Sequence, residues 1–147
     1  MLAQLLANQA LKAALIAWAL AQILKVPFAL LLRRGFDLKM LVSTGGMPSS
    51  HTAFVSALTW MIGLLYGWDS GLFAVASVFA AIVMYDAAGI RRAAGKQAEV
   101  LNKIIKILQH HERIREEHLK ELLGHTPIEV LAGAALGIIV ATLIYRS

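Results

Sequence analysis

"GLFAVASVFAAIVMY", Gly71 to Tyr85, contains no charged residue. Such a run is either the buried centre of a large soluble core or a helix that faces lipid. The rest of the chain decides between the two. Three more apolar runs accompany it: Leu11–Leu32, interrupted by Lys25 and Pro27, then Thr52–Tyr66 and Ile128–Tyr145. Of 147 residues 59% are hydrophobic and only 16% charged. The mean hydropathy is +0.67. Soluble domains carry roughly 25% charged residues. A soluble bundle would need polar faces that these runs lack. The sequence therefore predicts an all-α polytopic membrane protein of about four transmembrane helices, in a single domain over 1–147. A small-residue stretch near Ala17–Ala21 resembles a signal-peptide end, but the apolar run continues past it and reads as a retained helix.

A helix needs about 20 residues to cross the hydrocarbon at ~1.5 Å each. The last three runs fall short and need polar extensions, local thinning or mutual packing. Their Ala, Gly and Ser content, as in "AGAALG" (Ala132–Gly137), permits close helix approach. Between the third and fourth runs lies a polar stretch, Arg91–Gly124. There Val100, Leu101, Ile104, Ile105 and Leu108 keep helical spacing, and "HHERIREEHLKELLGH" follows as a second amphipathic helix.

Charge then suggests an orientation. Of the 14 Lys and Arg, three fall in the first connection (Arg33, Arg34, Lys39) and eight between Arg91 and Lys120. The short second turn, "GWDSG", has none. With four spans, the basic connections share one side, which the positive-inside rule makes cytoplasmic, with both termini outside. The formal net charge is +5, fitting anionic lipid heads or phosphate esters. No basic patch with interleaved aromatics points to nucleic acid. The chain has no cysteine, which removes thiolate chemistry, disulfides and cysteine metal sites.

The chemistry gathers on that same side. In "GGMPSSHTA", Gly45 and Gly46 permit a tight turn and close backbone approach, and Pro48 and Ser49 or Ser50 suit a helix start. Free N–H groups at a helix N-terminus attract anions, and His51 stands in the first turn. A capped helix with an interfacial histidine explains the same residues without a ligand. In "GHTPIEVLAGAALG", Thr126-Pro127-Ile128-Glu129 is a capping box with proline at the first helical position. Glu129 either caps the helix or orients the imidazole of His125, and does both only if its carboxylate reaches both. In "MYDAAGIRRAAGKQAEVLN", Asp86 is an ionisable residue near membrane depth. Arg91 and Arg92 are suited to clamp a phosphate or simply end a span, and Gln97 and Asn102 are embedded polar groups. Lys25 either snorkels to the interface or contacts phosphate, and Arg33 and Arg34 follow it. Two histidines, a carboxylate and several cations beside two helix starts are the parts of metal-free phosphoryl transfer. No HExxH zinc motif or acidic magnesium cluster is present.

Taken together, "GGMPSSHTA", "VMYDAAGIRRAAGKQAEVLN" and "LKELLGHTPIEVLAGAALG" resemble the small divergent bacterial and plastid branch of the type-2 phosphatidic acid phosphatase and vanadium haloperoxidase superfamily. The superfamily's second motif, Pro-Ser-Gly-His, reads Pro48-Ser49-Ser50-His51 here, with Ser in place of Gly. Its third motif ends His-x-x-x-Asp and here reads His125 to Glu129. The Ser-Arg that opens that motif is replaced by His118 and Leu119. The first motif, a lysine followed by Arg-Pro, survives as Lys25 and Arg33, one residue further apart and without the proline. The resemblance implies that His125 is the nucleophile, His51 the general acid and Glu129 the orienting carboxylate. Lys25, Arg33, Gly46, Ser49, Ser50, Arg91 and Arg92 would hold phosphate, with Asp86 as polar support. It implies a bacterial cytoplasmic-membrane phosphatase for lipid or isoprenoid phosphates, without metal or other cofactor, inhibited by vanadate, possible as a homodimer. The alternatives are an inactive lipid-phosphate binder of the same family, favoured by the lost arginine, and a small transporter or scaffold.

Overall fold

The structure is a computed structural model that describes residues 4, 7–31, 46–109 and 125–147, with side chains left undescribed at 90–94, 96 and 106–109. Five helices carry these residues: α1 (Gln9–Leu31), α2 (Ser50–Tyr66), α3 (Gly71–Ala88), α4 (Ile90–Gln109) and α5 (Pro127–Arg146). The first connection with Arg33, Arg34 and Lys39, Gly45, and the expected second amphipathic helix up to Gly124 lie outside the described residues.

Local chemistry sets most helix starts. The Asn8 side chain accepts the Leu11 N–H at 3.0 Å ahead of α1. Ser49 caps α2, Ser70 caps α3, and Thr126 caps α5 with Pro127 in the first turn. Each cap satisfies a backbone donor that the helix itself cannot, worth about 1 kcal/mol. α1 runs through Pro27 without ending, so the first apolar run is one continuous helix, as the sequence reading expected.

α2 sits in the middle, packed against α1, α3 and α5. Its contact with α1 is built from alanine. Ala10, Ala13, Ala14, Ala17 and Ala21 are buried at steps of three or four residues, with Ala29 about two turns further on, forming one helix face. Its contact with α5 is closer still. A Cβ at Gly133 would run into the Ser49 carbonyl and the Thr52 side chain, and one at Gly137 into the Ala53 carbonyl and Ala57. Only glycine lets the two backbones lie so near, the small-xxx-small geometry of membrane helices. Two polar links tie the far end. The Trp60 indole N–H donates to the Thr142 hydroxyl at 3.0 Å, and the Thr59 hydroxyl donates to the Ala76 carbonyl at 3.1 Å.

Among the described residues three helices are long and apolar enough to cross a bilayer: α1, α3 and α5. Their outward faces carry large exposed apolar groups, among them Ile23, Leu31, Val75, Ile82, Leu131 and Leu143, as a lipid solvent demands. The remaining expected span, α2, has 17 residues, about 25 Å of helix against roughly 30 Å of hydrocarbon. Its neighbours, more than lipid, are its environment. Among the described residues helices are the only regular structure and no strand occurs: an all-α membrane protein.

Candidate functional site

The starts of α2 and α5 lie side by side because the Ser49 N–H donates to the Glu129 carbonyl at 3.0 Å. The end of α3 joins them: the His125 N–H donates to the Ala87 carbonyl, also at 3.0 Å. These two backbone bonds place His125, the α2 cap and the last turn of α3 at one level of the bundle.

At that level polar side chains are buried. His125 is 1% exposed, and Ser49, Ser50, Thr52 and Glu129 are buried too. His125 Nδ1 and Glu129 Oε2 are 3.2 Å apart. The same carboxylate oxygen accepts the Thr126 N–H at 3.0 Å, while the Thr126 hydroxyl accepts the Glu129 N–H at 3.4 Å. Capping and histidine orientation are therefore not alternatives. One carboxylate does both, because the capping box turns it back over the residue that precedes the cap. With Nδ1–H donating to Glu129, the imidazole is held in the tautomer whose lone pair is on Nε2.

His51, in the first turn of α2, lies beside His125. The His51 and His125 rings have centroids 6.5 Å apart and an interplanar angle of 61°. Of the two candidate caps, Ser49 is the one used. Its hydroxyl accepts from the Thr52 N–H at 3.4 Å and the Thr52 hydroxyl at 3.0 Å. Ser50 serves differently: its hydroxyl accepts from Lys25 Nζ at 3.4 Å.

Lys25 is only 2% exposed. The snorkelling expected as one of its two readings does not occur. The reason is its register: Ala17, Ala21, Lys25 and Ala29 share the inward stripe of α1, so its ammonium is directed at α2 rather than along the lipid face. Gly46 packs against the aliphatic stem, where an added Cβ would touch Cγ and Cδ of Lys25 at 3.9 Å. Its φ of 93° is a left-handed conformation suited to glycine.

The remaining candidates divide. Asp86 is half-buried in the last turn of α3, next to the Ala87 carbonyl that anchors His125. Arg91 and Arg92 lie in the first turn of α4, beyond α3, with side chains not described. Arg33, His118 and Leu119 are outside the described residues. Gln97 is exposed and Asn102 buried, so only one of the two polar groups expected to be embedded is so. Thr52 and the Ala87 carbonyl support the site and were not singled out. Thr52 had a signal in its place three residues after a serine cap, but nothing local points to Ala87. Among the described residues no group of three or more His, Cys, Asp or Glu is gathered as a metal site.

Fold and site together define a helical membrane protein that buries a His–Glu pair and a lysine at two abutting helix starts. The chain belongs to the Divergent PAP2 family, whose model matches residues 6–140. It is 44% identical to the uncharacterized membrane protein YuiD of Bacillus subtilis (strain 168), over 92% of this chain and 93% of that protein. No solved structure matches it significantly.

Proposed function

We propose that the protein is a phosphatase of lipid or isoprenoid phosphates, working at the cytoplasmic face of the bacterial cytoplasmic membrane by way of a histidine nucleophile. The observation that carries this reading is the double use of Glu129 Oε2, which fixes His125 with its Nδ1 side occupied. Membership in the Divergent PAP2 family supports the phosphatase class. The basic bias of the first and third connections supports the cytoplasmic side.

In this mechanism His125 Nε2 attacks phosphorus. The bond from phosphorus to the lipid oxygen breaks, and protonated His51 gives its proton to the leaving alkoxide, which departs as the alcohol. Glu129 stabilises the imidazolium character that His125 gains. The Lys25 ammonium balances charge on the phosphoryl oxygens, as do N–H groups at the α2 start. Neutral His51 then takes a proton from water as that water attacks the phosphohistidine. The N–P bond breaks, inorganic phosphate leaves and His51 is again protonated. No step calls for a metal, and vanadate, which adopts the five-coordinate geometry of the transferring phosphoryl group, inhibits.

The test is phosphate release from a panel of lipid and isoprenyl phosphates in detergent with EDTA present. Wild type releases phosphate, and His125→Ala lowers the rate on the order of 10³-fold or more. Wild-type turnover that disappears with EDTA and returns with added metal would overturn the metal-free mechanism. A second reading, a non-catalytic binder of phosphorylated lipid, is favoured by Leu119 standing where the superfamily's third motif has arginine. Vanadate binding by a wild type with no turnover on any substrate would select it.

A further inference from the structure

α4 has three sides. Gly95 and Asn102, seven residues apart and so on one face, are buried. Glu99 and Lys103 are exposed and paired at 2.8 Å on a second side. The third side is apolar and also exposed: Val100 at 55%, Leu101 at 48% and Ile104 at 47%. At 100° per residue these three cluster within about a third of the helix circumference, opposite the buried face and clear of the charged pair.

Two further facts say what covers that side. The first is position. α4 begins at Ile90, separated only by Gly89 from α3, one of the helices long and apolar enough to cross a bilayer. The exposed apolar surface of α3 continues to its last turns through Ile82 and Tyr85. The second is charge. By sequence α4 carries Arg91, Arg92, Lys96, Lys103 and Lys106 against Glu99 alone. A net cationic helix with an apolar side, starting where a span ends, matches the boundary between acyl chains and anionic headgroups. A soluble protein partner would account for the apolar side but not for its continuity with a lipid-facing helix.

We propose that α4 lies in the membrane interface, with Val100, Leu101 and Ile104 embedded in lipid and the Glu99–Lys103 side in water, held by anionic headgroups. The proposal is independent of any catalytic activity. It also sets the depth of the His125 site. The anchoring bond to Ala87 lies one turn before α4 begins, so His125 is level with the headgroups.

The chain has no cysteine, so single cysteines report cleanly. Ile104→Cys and Glu99→Cys are labelled with an environment-sensitive fluorophore and reconstituted in mixed phosphatidylcholine–phosphatidylglycerol vesicles. Aqueous iodide and a lipid-borne spin-label quencher are then applied in turn. At 104 the lipid quencher acts and iodide quenching falls roughly five-fold or more below that at 99, consistent with an apolar face sunk about 5–10 Å. Equal iodide access at both positions overturns the proposal. Shielding of 104 from both quenchers overturns it too, since protein, a second copy included, then covers the face. Leu101→Cys is read alongside; if Ile104→Cys elutes aggregated, the same outcomes at 101 decide.

Discussion

The two ends of α2 are built on opposite terms. At its start, Ser49, Ser50 and Thr52 are buried beside Lys25, His125 and Glu129. At its finish, Trp60, Trp68 and Phe73 stack edge to face, with centroids 4.8 Å and 5.1 Å apart, and Trp60 and Phe73 pack against the apolar core. The aromatic end gains from burial and adds about 0.5–1.5 kcal/mol per ring pair from geometry. The polar end gives up several kcal/mol of hydration for each ion removed from water, offset only as far as the pairing is good. A helix that needed only to be stable would resemble its finish at both ends. Under the proposed function the start is given over to binding and chemistry, at a cost in stability.

The sharpest way to break this contrast is to exchange the buried charge for bulk. Lys25→Met is expected to cut kcat/KM on a lipid phosphate by 10- to 100-fold, on the order of 1.5–3 kcal/mol for a hydrogen bond to a charged group. It should change unfolding stability by no more than about 1 kcal/mol, because the replacement removes a desolvation cost as well as an interaction. A large loss of thermal stability in detergent, with activity per folded molecule intact, would make Lys25 structural.

The next effect comes from placing one methyl group at either end. Gly133→Ala pushes a Cβ into the Ser49 carbonyl, which backbone alone must accommodate. It should cost about 1–3 kcal/mol and lower phosphate release further than the loss of folded protein explains, since α2 and α5 move apart at the site. Gly63→Ala meets the Trp68 ring instead, a half-exposed side chain rather than backbone. It should lower stability by less and leave turnover per folded molecule unchanged. Paired thermal-unfolding and rate measurements on the two variants check both statements. Equal activity losses would mean that the two ends are mechanically one unit.

The smallest effect is Trp60→Phe. It keeps a ring against Trp68 and loses the donor to Thr142. About 0.6 kcal/mol is typical of a hydrogen bond between membrane helices, visible as a modest shift in the unfolding midpoint with unaltered kinetics.

What the sequence made legible was whatever depended on near neighbours. The serine cap, the Thr126–Glu129 box and the lipid-facing runs all follow from residues three or four apart. The meeting of His51 and His125 was legible too, from the placement of two helix starts on one side. Lys25 was not settled, because snorkelling and burial differ in what stands opposite. Its neighbours Ala21 and Ala29 held the answer: a lysine in step with buried alanines faces inward. The central place of α2 was hidden for a similar reason. Its apolar run resembles the others, and only the Gly133 and Gly137 contacts reveal that it is walled by helices. The bond from His125 to Ala87 joins distant segments through backbone atoms, which carry no sequence signature.

The link between the Ser49 N–H and the Glu129 carbonyl has a bearing on biogenesis. A chain is made from its N-terminus, so α1, α2 and α3 leave the ribosome well before α5. Until then the Ser49 donor has no Glu129 carbonyl to meet, and the pocket lacks both its imidazole of residue 125 and the carboxylate that orients it. The last described helix to enter the membrane is the one that completes the site. Under the proposed mechanism a nascent or truncated chain holds the lysine and the α2 cap with no nucleophile, and activity begins only when α5 arrives.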